Sequence, residues 1–383
     1  MPQGPRGKCS PRAACCAARA GNHLRGLVSL VMHEDRFSTR QDVIRTLADQ
    51  GGTVLVIGDS DTGKTEFCKV LLRAVLARGR CAAWIDADVG QSTLGPPSTV
   101  GMRVLRSISD LQDERHPTEI YFVGSTSPTG YVVPFLRGIR RLLDLSRDAD
   151  PWATVIDTTG LATGAEGLEL KRRKIELACP RHLVGFQREG ELEPLFRAYR
   201  DVAGLKLTRL PVAPDVRCRS RADRRRHREE QFRRYFLHAH LRPFLLKSVS
   251  VSGHWIGSGI PAADSELARL SVILGGRVLY GERVYGHLML FAQTTVGLRE
   301  REKIIGEFGV EGVHVHFLGD MKDRLVALHG LVGETLALGT ACLFDAEERA
   351  LSIRTPWEAT DVVRGVIFGG IKVDSAGRET RVT

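Results

Sequence analysis

Apolar and polar positions along the chain fall into two textures. In the first, Thr53–Ile57 (TVLVI), Cys81–Ile85, Ile120–Val123, Ala153–Ile156 and His182–Phe186 are short, nearly continuous apolar runs. That is the pattern of strands buried on both faces of a parallel sheet. Between them lie segments with helical spacing. RQDVIRTLAD (40–49) reads as a short amphipathic helix ended by Gly51 and Gly52, and Glu66–Ala77 as a second helix. Strand–helix alternation of this kind predicts an α/β fold, a parallel sheet flanked by helices on both faces. Beyond about residue 245 the texture changes to short runs broken by Gly and Asp: SVSVSG, RVLYGE, HLMLFA, ETLALGT, CLFD, GVIFGG and IKVD. They predict a smaller, mostly β C-terminal domain. No fixed-period repeat is present. Residues 1–26 mix Pro, Gly, Arg, Cys and Ala without periodicity and without the apolar centre of a secretory signal. The expected organisation is a disordered tail over 1–39 (with Met32 an alternative start), an α/β domain over 40–240 and a β-rich domain over 241–383.

The first apolar run leads into Gly58-Asp59-Ser60-Asp61-Thr62-Gly63-Lys64-Thr65, which fits G-x-x-x-x-G-K-[ST] without exception. A strand precedes it and a helix starting near Glu66 follows, the context in which this motif forms a phosphate-binding loop. Glycines let the backbone wrap a phosphate closely. Successive N–H groups and the helix N-terminus supply positive potential. Lys64 is placed to reach the β- and γ-phosphates and Thr65 to ligate Mg²⁺. A P-loop NTPase sheet follows, with Gly58 through Glu66 as the nucleotide-binding residues.

Two acidic segments follow predicted core strands. Asp86-Ala87-Asp88-Val89-Gly90-Gln91 follows Cys81–Ile85, and Asp157-Thr158-Thr159-Gly160 follows Ala153–Ile156. The carboxyl ends of parallel strands face the ligand crevice. One of the first two carboxylates can accept a proton from an attacking hydroxyl. Asp157 can hold Mg²⁺ directly or through water. No N-K-x-D element is present, which favours ATP over GTP while leaving GTP open.

Composition adds a partner class. The chain has 383 residues, a net charge of +10 and a pI of about 9.4. That charge suits polyanions such as nucleic acid, although a preference for arginine would produce it too. No apolar run reaches the length of about 18 residues that a membrane span requires. The eight cysteines form no C-x-x-C pair and no metal spacing with His. They read as reduced thiols in a cytoplasmic protein. His254, His287, His314 and His316 read as structural histidines, and Trp84 and Trp152 as packing residues.

Taken together, DADVGQSTLGPPSTVG (86–101), GDSDTGKT (58–65), GSTSP (124–128), IDTTGL (156–161) and the arginine-rich 217–234 resemble the polynucleotide 5'-hydroxyl kinases over roughly residues 50–240. The resemblance implies an ATP-dependent enzyme that phosphorylates the 5'-hydroxyl end of RNA or DNA. It also implies roles at matched positions. Lys64, Asp88, Arg219 and Arg224 would be catalytic, Asp88 as general base and the arginines as a lid over the transferring phosphate. Thr65 and Asp157 would hold magnesium. Gln91, Thr126 and Ser127 would contact the acceptor strand, the last two within a "clasp". The chain departs from the family in three places, one of them Thr129-Gly130, which reverses the Gly-Thr order of the clasp in eukaryotic members. Only about fifty residues precede the P-loop, where eukaryotic members carry a β-rich domain that helps hold the base. Leu161 stands where some members place a Trp able to stack on an acceptor base. Two other readings remain at this level: an ATP-binding scaffold of an RNA-processing assembly, and an NTPase switch with no nucleic-acid acceptor. The sequence names no protein partner.

Overall fold

In the computed structural model, which describes residues 39–113, 118–161, 164–214, 216 and 218–382, helix α1 (Arg40–Gln50) starts at Thr39, whose side-chain oxygen accepts from the Asp42 N–H. This N-cap satisfies a donor that a helix start leaves open. Thr39 therefore belongs to the helix and not to the expected tail; residues 1–38 lie outside the described residues, as does Arg217. Helix α1 buries Val43, Ile44, Leu47 and Ala48. It ends at Gly51, where φ is +61° and a Cβ would sit 2.5 Å from the Trp152 carbonyl oxygen.

Seven strands form the first sheet: β1 (Gly52–Gly58), β2 (Ala82–Ala87), β3 (Thr99–Leu105), β4 (Glu119–Phe122), β5 (Ala153–Thr158), β6 (His182–Gln187) and β7 (Lys206–Pro211). Their order is β4-β3-β2-β5-β1-β6-β7. Helices α2 (Lys64–Leu76), α3 (Val132–Asp148), α4 (Gly164–Ala178) and α5 (Glu193–Tyr199) cover its faces, and α6 (Arg221–Tyr235) follows β7. The alternation along β1 decides the layers. Val54 and Val56 pack with α1 and α2, whereas Leu55 and Ile57 pack with α3 and α4. Five strands are mutually parallel, with β1 between β5 and β6. The other two correct the all-parallel expectation: β3 runs antiparallel to β2, and β4, the expected strand at Ile120–Val123, runs antiparallel to β3 at the sheet edge. An antiparallel return needs no helical crossover, and residues 88–98 make it with a loop folded back over Asp86.

The C-terminal part contains β8 (His240–Leu245), β9 (Ser250–Ser252), β10 (Ile260–Pro261), α7 (Asp264–Leu274), β11 (Val278–Val284), β12 (His287–Ala292), α8 (Leu298–Phe308), β13 (Gly312–His316), α9 (Leu318–Met321), β14 (Arg324–His329), β15 (Thr335–Asp345), β16 (Ala350–Thr355), β17 (Gly365–Val373) and β18 (Glu379–Arg381). One sheet is β10-β11-β12-β13; the other is β18-β17-β14-β15-β16-β8, with β9 on β17. Two differences from the sequence reading stand out. Runs separated by one residue or none are single strands, ETLALGT with CLFD in β15 and GVIFGG with IKVD in β17. Helices α7 and α8 also interrupt the β texture, placing Leu270, Leu274, Ile304 and Phe308 against Val278, Leu288, Leu290 and Val313.

All the described residues belong to one compact unit, Phe37–Thr383, and the expected boundary at 240/241 falls inside β8. The reason is a shared core. Phe232 of α6, Phe236 at its C-cap and Phe122 of β4 pack with Leu325, Ala327, Leu338, Ile371 and Val373 of the C-terminal sheet. Tyr235 Oη accepts from the Leu338 N–H at 2.9 Å.

Candidate active site

The phosphate loop turns through three left-handed or glycine-only positions, Gly58 (φ +153°), Asp61 (φ +52°) and Gly63 (φ +83°). Such backbone lets consecutive N–H groups point to one concavity. Gly63 is also the N-cap of α2, so the helix's positive end opens onto the same point. Lys64 is 6% exposed. Its Nζ donates to the Asp59 carbonyl oxygen at 2.5 Å and to Thr62 Oγ1 at 3.3 Å. A cleft of about 480 Å³ lies over the loop, lined by Ser60 through Glu66 and by Asp88, Gln91, Arg219 and Arg224. Gly58 and Asp59 do not line it; the Asp59 carbonyl oxygen instead takes the bond from Lys64.

Three carboxylates converge on the ends of β2 and β5. Asp157 is 2% exposed; its Oδ2 accepts from Thr65 Oγ1 at 2.5 Å, and its Oδ1 is buried with no hydrogen bond. Burial raises its carboxyl above the usual range, against the lowering effect of Lys64 and Thr65. Asp86 is 1% exposed. Its Oδ1 accepts from the Asp88 N–H at 2.9 Å, and its Oδ2 from the Thr93 and Leu94 N–H groups at 2.5 and 3.0 Å. Burial, then the charges of Asp157 and Asp88, push Asp86 up to about 7. Asp86 therefore organises the 88–94 loop from inside and does not line the cleft. Asp88 does. Its Oδ1 accepts from the Gly90 and Gln91 N–H groups, both at 3.0 Å. Among the described residues its Oδ2 has no hydrogen-bond partner.

Two residues that sequence reasoning missed lie behind this cluster. Lys171 and Lys174 of α4 are 0% and 1% exposed. Lys171 Nζ donates to Thr158 Oγ1 at 2.8 Å and to the Thr159 carbonyl oxygen at 2.5 Å. Lys174 Nζ lies 3.4 Å from Thr159 Oγ1 and 4.4 Å from the centre of the Phe135 ring. Burial pulls Lys171 well below the ordinary lysine range and Lys174 down to about 7, with Asp88 and Asp157 acting in the other direction. The pair holds the turn after β5, where Gly160 packs so closely that a Cβ would sit 2.1 Å from Ser60 Oγ. A signal was available: Gly167, Lys171, Lys174 and Ala178 share the buried stripe of α4, where apolar residues are the norm.

The arginine-rich segment separates by partner. Arg225, Arg226 and Arg233 pair with Glu229, Asp223 and Glu230 of their own helix. Arg219 and Arg224 reach the cleft instead. The Arg219 N–H donates to Asp61 Oδ2 at 3.0 Å, and the Arg224 guanidinium lies 3.8 Å from the same oxygen. Arg224 Nε is buried without a partner, as is Gln91 Oε1. Gln91 Nε2 donates to the Arg224 carbonyl oxygen at 3.2 Å, and Gln231 Nε2 donates to that of Ser92 at 2.6 Å. Gln231 was not expected at the site; it lies two helical turns beyond Arg224, facing the same loop. Thr126 and Ser127 do not line the cleft. Their segment supports the 88–94 loop from outside: a Cβ on Gly90 would lie 2.9 Å from the Thr126 carbonyl oxygen. Beside them, Pro128, Thr129 and Gly130 share a second cavity of about 300 Å³ with Leu161.

Comparison with known proteins places these residues in a family. The family model described as mRNA cleavage and polyadenylation factor CLP1 P-loop matches residues 58–238. The polyribonucleotide 5'-hydroxyl-kinase of Pyrococcus furiosus is 31% identical over 326 residues, 85% of this chain and 89% of that protein. A polyribonucleotide 5'-hydroxyl-kinase of Methanocaldococcus jannaschii is 27% identical over 85% of this chain and 88% of its own length. Clp1 of Xenopus tropicalis is 27% identical over 49% of this chain and 44% of that protein. Among solved structures, wild-type Clp1p from its complex with Pcf11p superposes with a TM-score of 0.56 at 13% identity, covering 86% of this chain and 76% of that one. That likeness is one of fold.

Proposed function

The chain belongs to the polyribonucleotide 5'-hydroxyl-kinase family, and from that premise we propose that it transfers the γ-phosphate of ATP to the 5'-hydroxyl end of RNA. The observation that carries the reading is the cleft itself: a phosphate loop, the free Oδ2 of Asp88 and two lid arginines face one volume.

The residues present suit a nucleoside triphosphate and magnesium. Asp157 Oδ1 is a buried carboxylate oxygen without a partner, and Thr65 Oγ1 lies 2.5 Å from the other oxygen. Together they are the hard oxygen donors that Mg²⁺ takes. When bound there, the ion would offset charge on the β- and γ-phosphates. Lys64 holds the β- and γ-phosphates from the loop. Arg219 and Arg224 line the same cleft beside Asp61 and answer the charge that grows on the equatorial oxygens during transfer. Asp88 accepts the proton of the 5'-hydroxyl as its oxygen bonds to the γ-phosphorus and the bond to the β-phosphate oxygen breaks. The products are a 5'-phosphorylated strand and ADP. Gln91 and the segment at Thr126 and Ser127 border the approach of the acceptor strand.

The test is to incubate the protein with γ-labelled ATP, Mg²⁺ and matched 5'-hydroxyl RNA and DNA oligonucleotides, with GTP in a parallel series. Label on the RNA 5' end is the expected result. Free phosphate without end label would point to a switch-like NTPase. Tight nucleotide binding with neither would point to a scaffold.

A further inference from the structure

Helix α6 carries the lid, yet it is anchored unevenly. Its only buried residue is Phe232. Together with Phe236 and Tyr235 just beyond, it packs into the core shared with the C-terminal sheet. The turns before Phe232 bury no residue, so hydrophobic burial does not fix where the arm bearing Arg224 lies. Polar contacts must do so. On the cleft side these run from Gln91, Ser92 and Asp61, residues that themselves face the ligand.

On the other side the contact comes from the far end of the chain. Arg228 Nε donates to Glu379 Oε1 and Oε2 at 2.9 and 3.0 Å, and its Nη2 donates to Oε1 as well. The two side chains are only 17% and 12% exposed. Arg225 Nη2 donates to the Glu379 carbonyl oxygen at 2.9 Å. The turn that delivers Glu379 is shaped for this helix. Asp374 Oδ1 accepts from the Ala376 and Arg378 N–H groups, both at 2.9 Å. Gly377 has φ +82° and lies so near α6 that a Cβ would sit 2.5 Å from the Glu229 carbonyl oxygen and 2.8 Å from the Arg233 nitrogen.

We propose that the Arg228–Glu379 pair is a positioning latch that holds the first turns of α6, and with them Arg219 and Arg224, at the distance phosphoryl transfer requires. The C-terminal sheet thereby takes part in the reaction without touching substrate. The inference rests on the kinase reading for its consequence in rate, though not for its geometry. A forked guanidinium–carboxylate pair fixes direction as well as distance. Arg224 stands one turn before Arg228, so a shift at the latch passes directly to the lid. Misplacement on the order of 1 Å is enough to cost a large factor in rate.

The experiment compares the full-length protein with E379Q, R228K and the exchanged pair R228E/E379R, by steady-state kinetics and by hydrogen exchange. E379Q is expected to lower kcat about tenfold, a fraction of what a lid arginine supplies, while KM for ATP moves less than about threefold because the P-loop still holds the phosphates. R228K, which keeps the charge but loses the fork, should fall between, and the exchanged pair should recover part of the loss. Peptides from 221–235 should exchange faster in E379Q, with those of α2 and β5 unchanged. Wild-type kcat and exchange in E379Q overturn the latch. So does an increase in exchange spread evenly over the chain, which would mark a general loss of stability. If wild-type protein labels no 5'-hydroxyl end, the kinase reading fails, and exchange in α6 still decides the latch.

Discussion

Asp86 and Asp157 stand directly opposite each other on adjacent parallel strands, almost fully buried at 1% and 2% exposure. Burial, and like charges so placed, disfavour having both ionised. The effect on stability has a definite sign. The folded-state value of Asp86, about 7, lies above the ordinary 3.8, so the folded protein holds a proton that the unfolded chain releases. The stabilisation is complete below the unfolded value and is lost as pH rises through the folded one. Asp86 therefore contributes a loss of stability between about pH 5 and about pH 8, opposite in sign to the buried Lys171 and Lys174. Asp86→Asn should remove that component, so that the melting temperature of the variant falls less, or rises more, than that of the metal-free wild type over this range. Equal slopes in thermal melts of the two proteins would remove Asp86 as the source.

Lys64→Ala and Asp88→Asn should both abolish end-labelling, for different reasons. The first removes a phosphate contact and should weaken nucleotide binding. The second leaves the cleft in place and removes the proton acceptor, a loss of ~10²–10⁴ in rate with nucleotide affinity spared. Calorimetric titration separates the two, and full activity in Asp88→Asn would take the base role from this residue.

Gly160→Ala tests the contact between the β5–α4 turn and the phosphate loop. The added methyl would meet Ser60 Oγ at 2.1 Å and the Ser60 Cα at 2.6 Å, so one segment must move. Overpacking of this kind costs ~1–3 kcal/mol, and here it displaces Ser60 from the phosphates. Nucleotide affinity is expected to fall more than the unfolding midpoint; unchanged affinity would contradict the packing argument.

Lys171→Met preserves bulk and removes a buried donor. The Thr159 carbonyl oxygen loses its bond from Nζ, and an unsatisfied buried acceptor costs ~1–3 kcal/mol. Urea unfolding should show that loss, with kcat falling too because the turn directly follows Asp157 on β5. A midpoint equal to wild type would show that the turn holds without the ammonium.

Leu161→Trp places an aromatic ring beside Pro128, Thr129 and Gly130 in the 300 Å³ cavity. Base stacking contributes ~1–3 kcal/mol, so KM for a 5'-hydroxyl oligonucleotide should drop while KM for ATP stays. No change in oligonucleotide KM would place the acceptor base elsewhere.

Which parts of this site could be read in advance follows from how each is built. The phosphate loop was legible because its strand, turn and helix are contiguous, and its chemistry is carried by eight consecutive residues. Asp88 and Asp157 were legible because strand ends in a parallel sheet share one crevice. Arg219 and Arg224 could be singled out only by resemblance, since nine arginines between 217 and 234 look alike until the helix is rotated against its neighbours. Thr126 and Ser127 were likewise singled out by resemblance, and the fold sets them beside Gly90, at the border of the nucleotide cleft and not in its lining. The antiparallel turn of β3 and β4 was hidden because an apolar run does not record its direction.

The order of residues by itself determined the nucleotide grip, the helix-flanked sheet and the family, because these depend on local spacing and on which strands are apolar throughout. Only the tertiary structure decided that Lys171 and Lys174 turn inward behind the acids, that Asp86 braces a loop, and that Glu379 meets Arg228 from 151 residues away. Those outcomes depend on which faces pack together. Packing is settled by burial summed over the whole chain, a quantity that no short window of sequence contains.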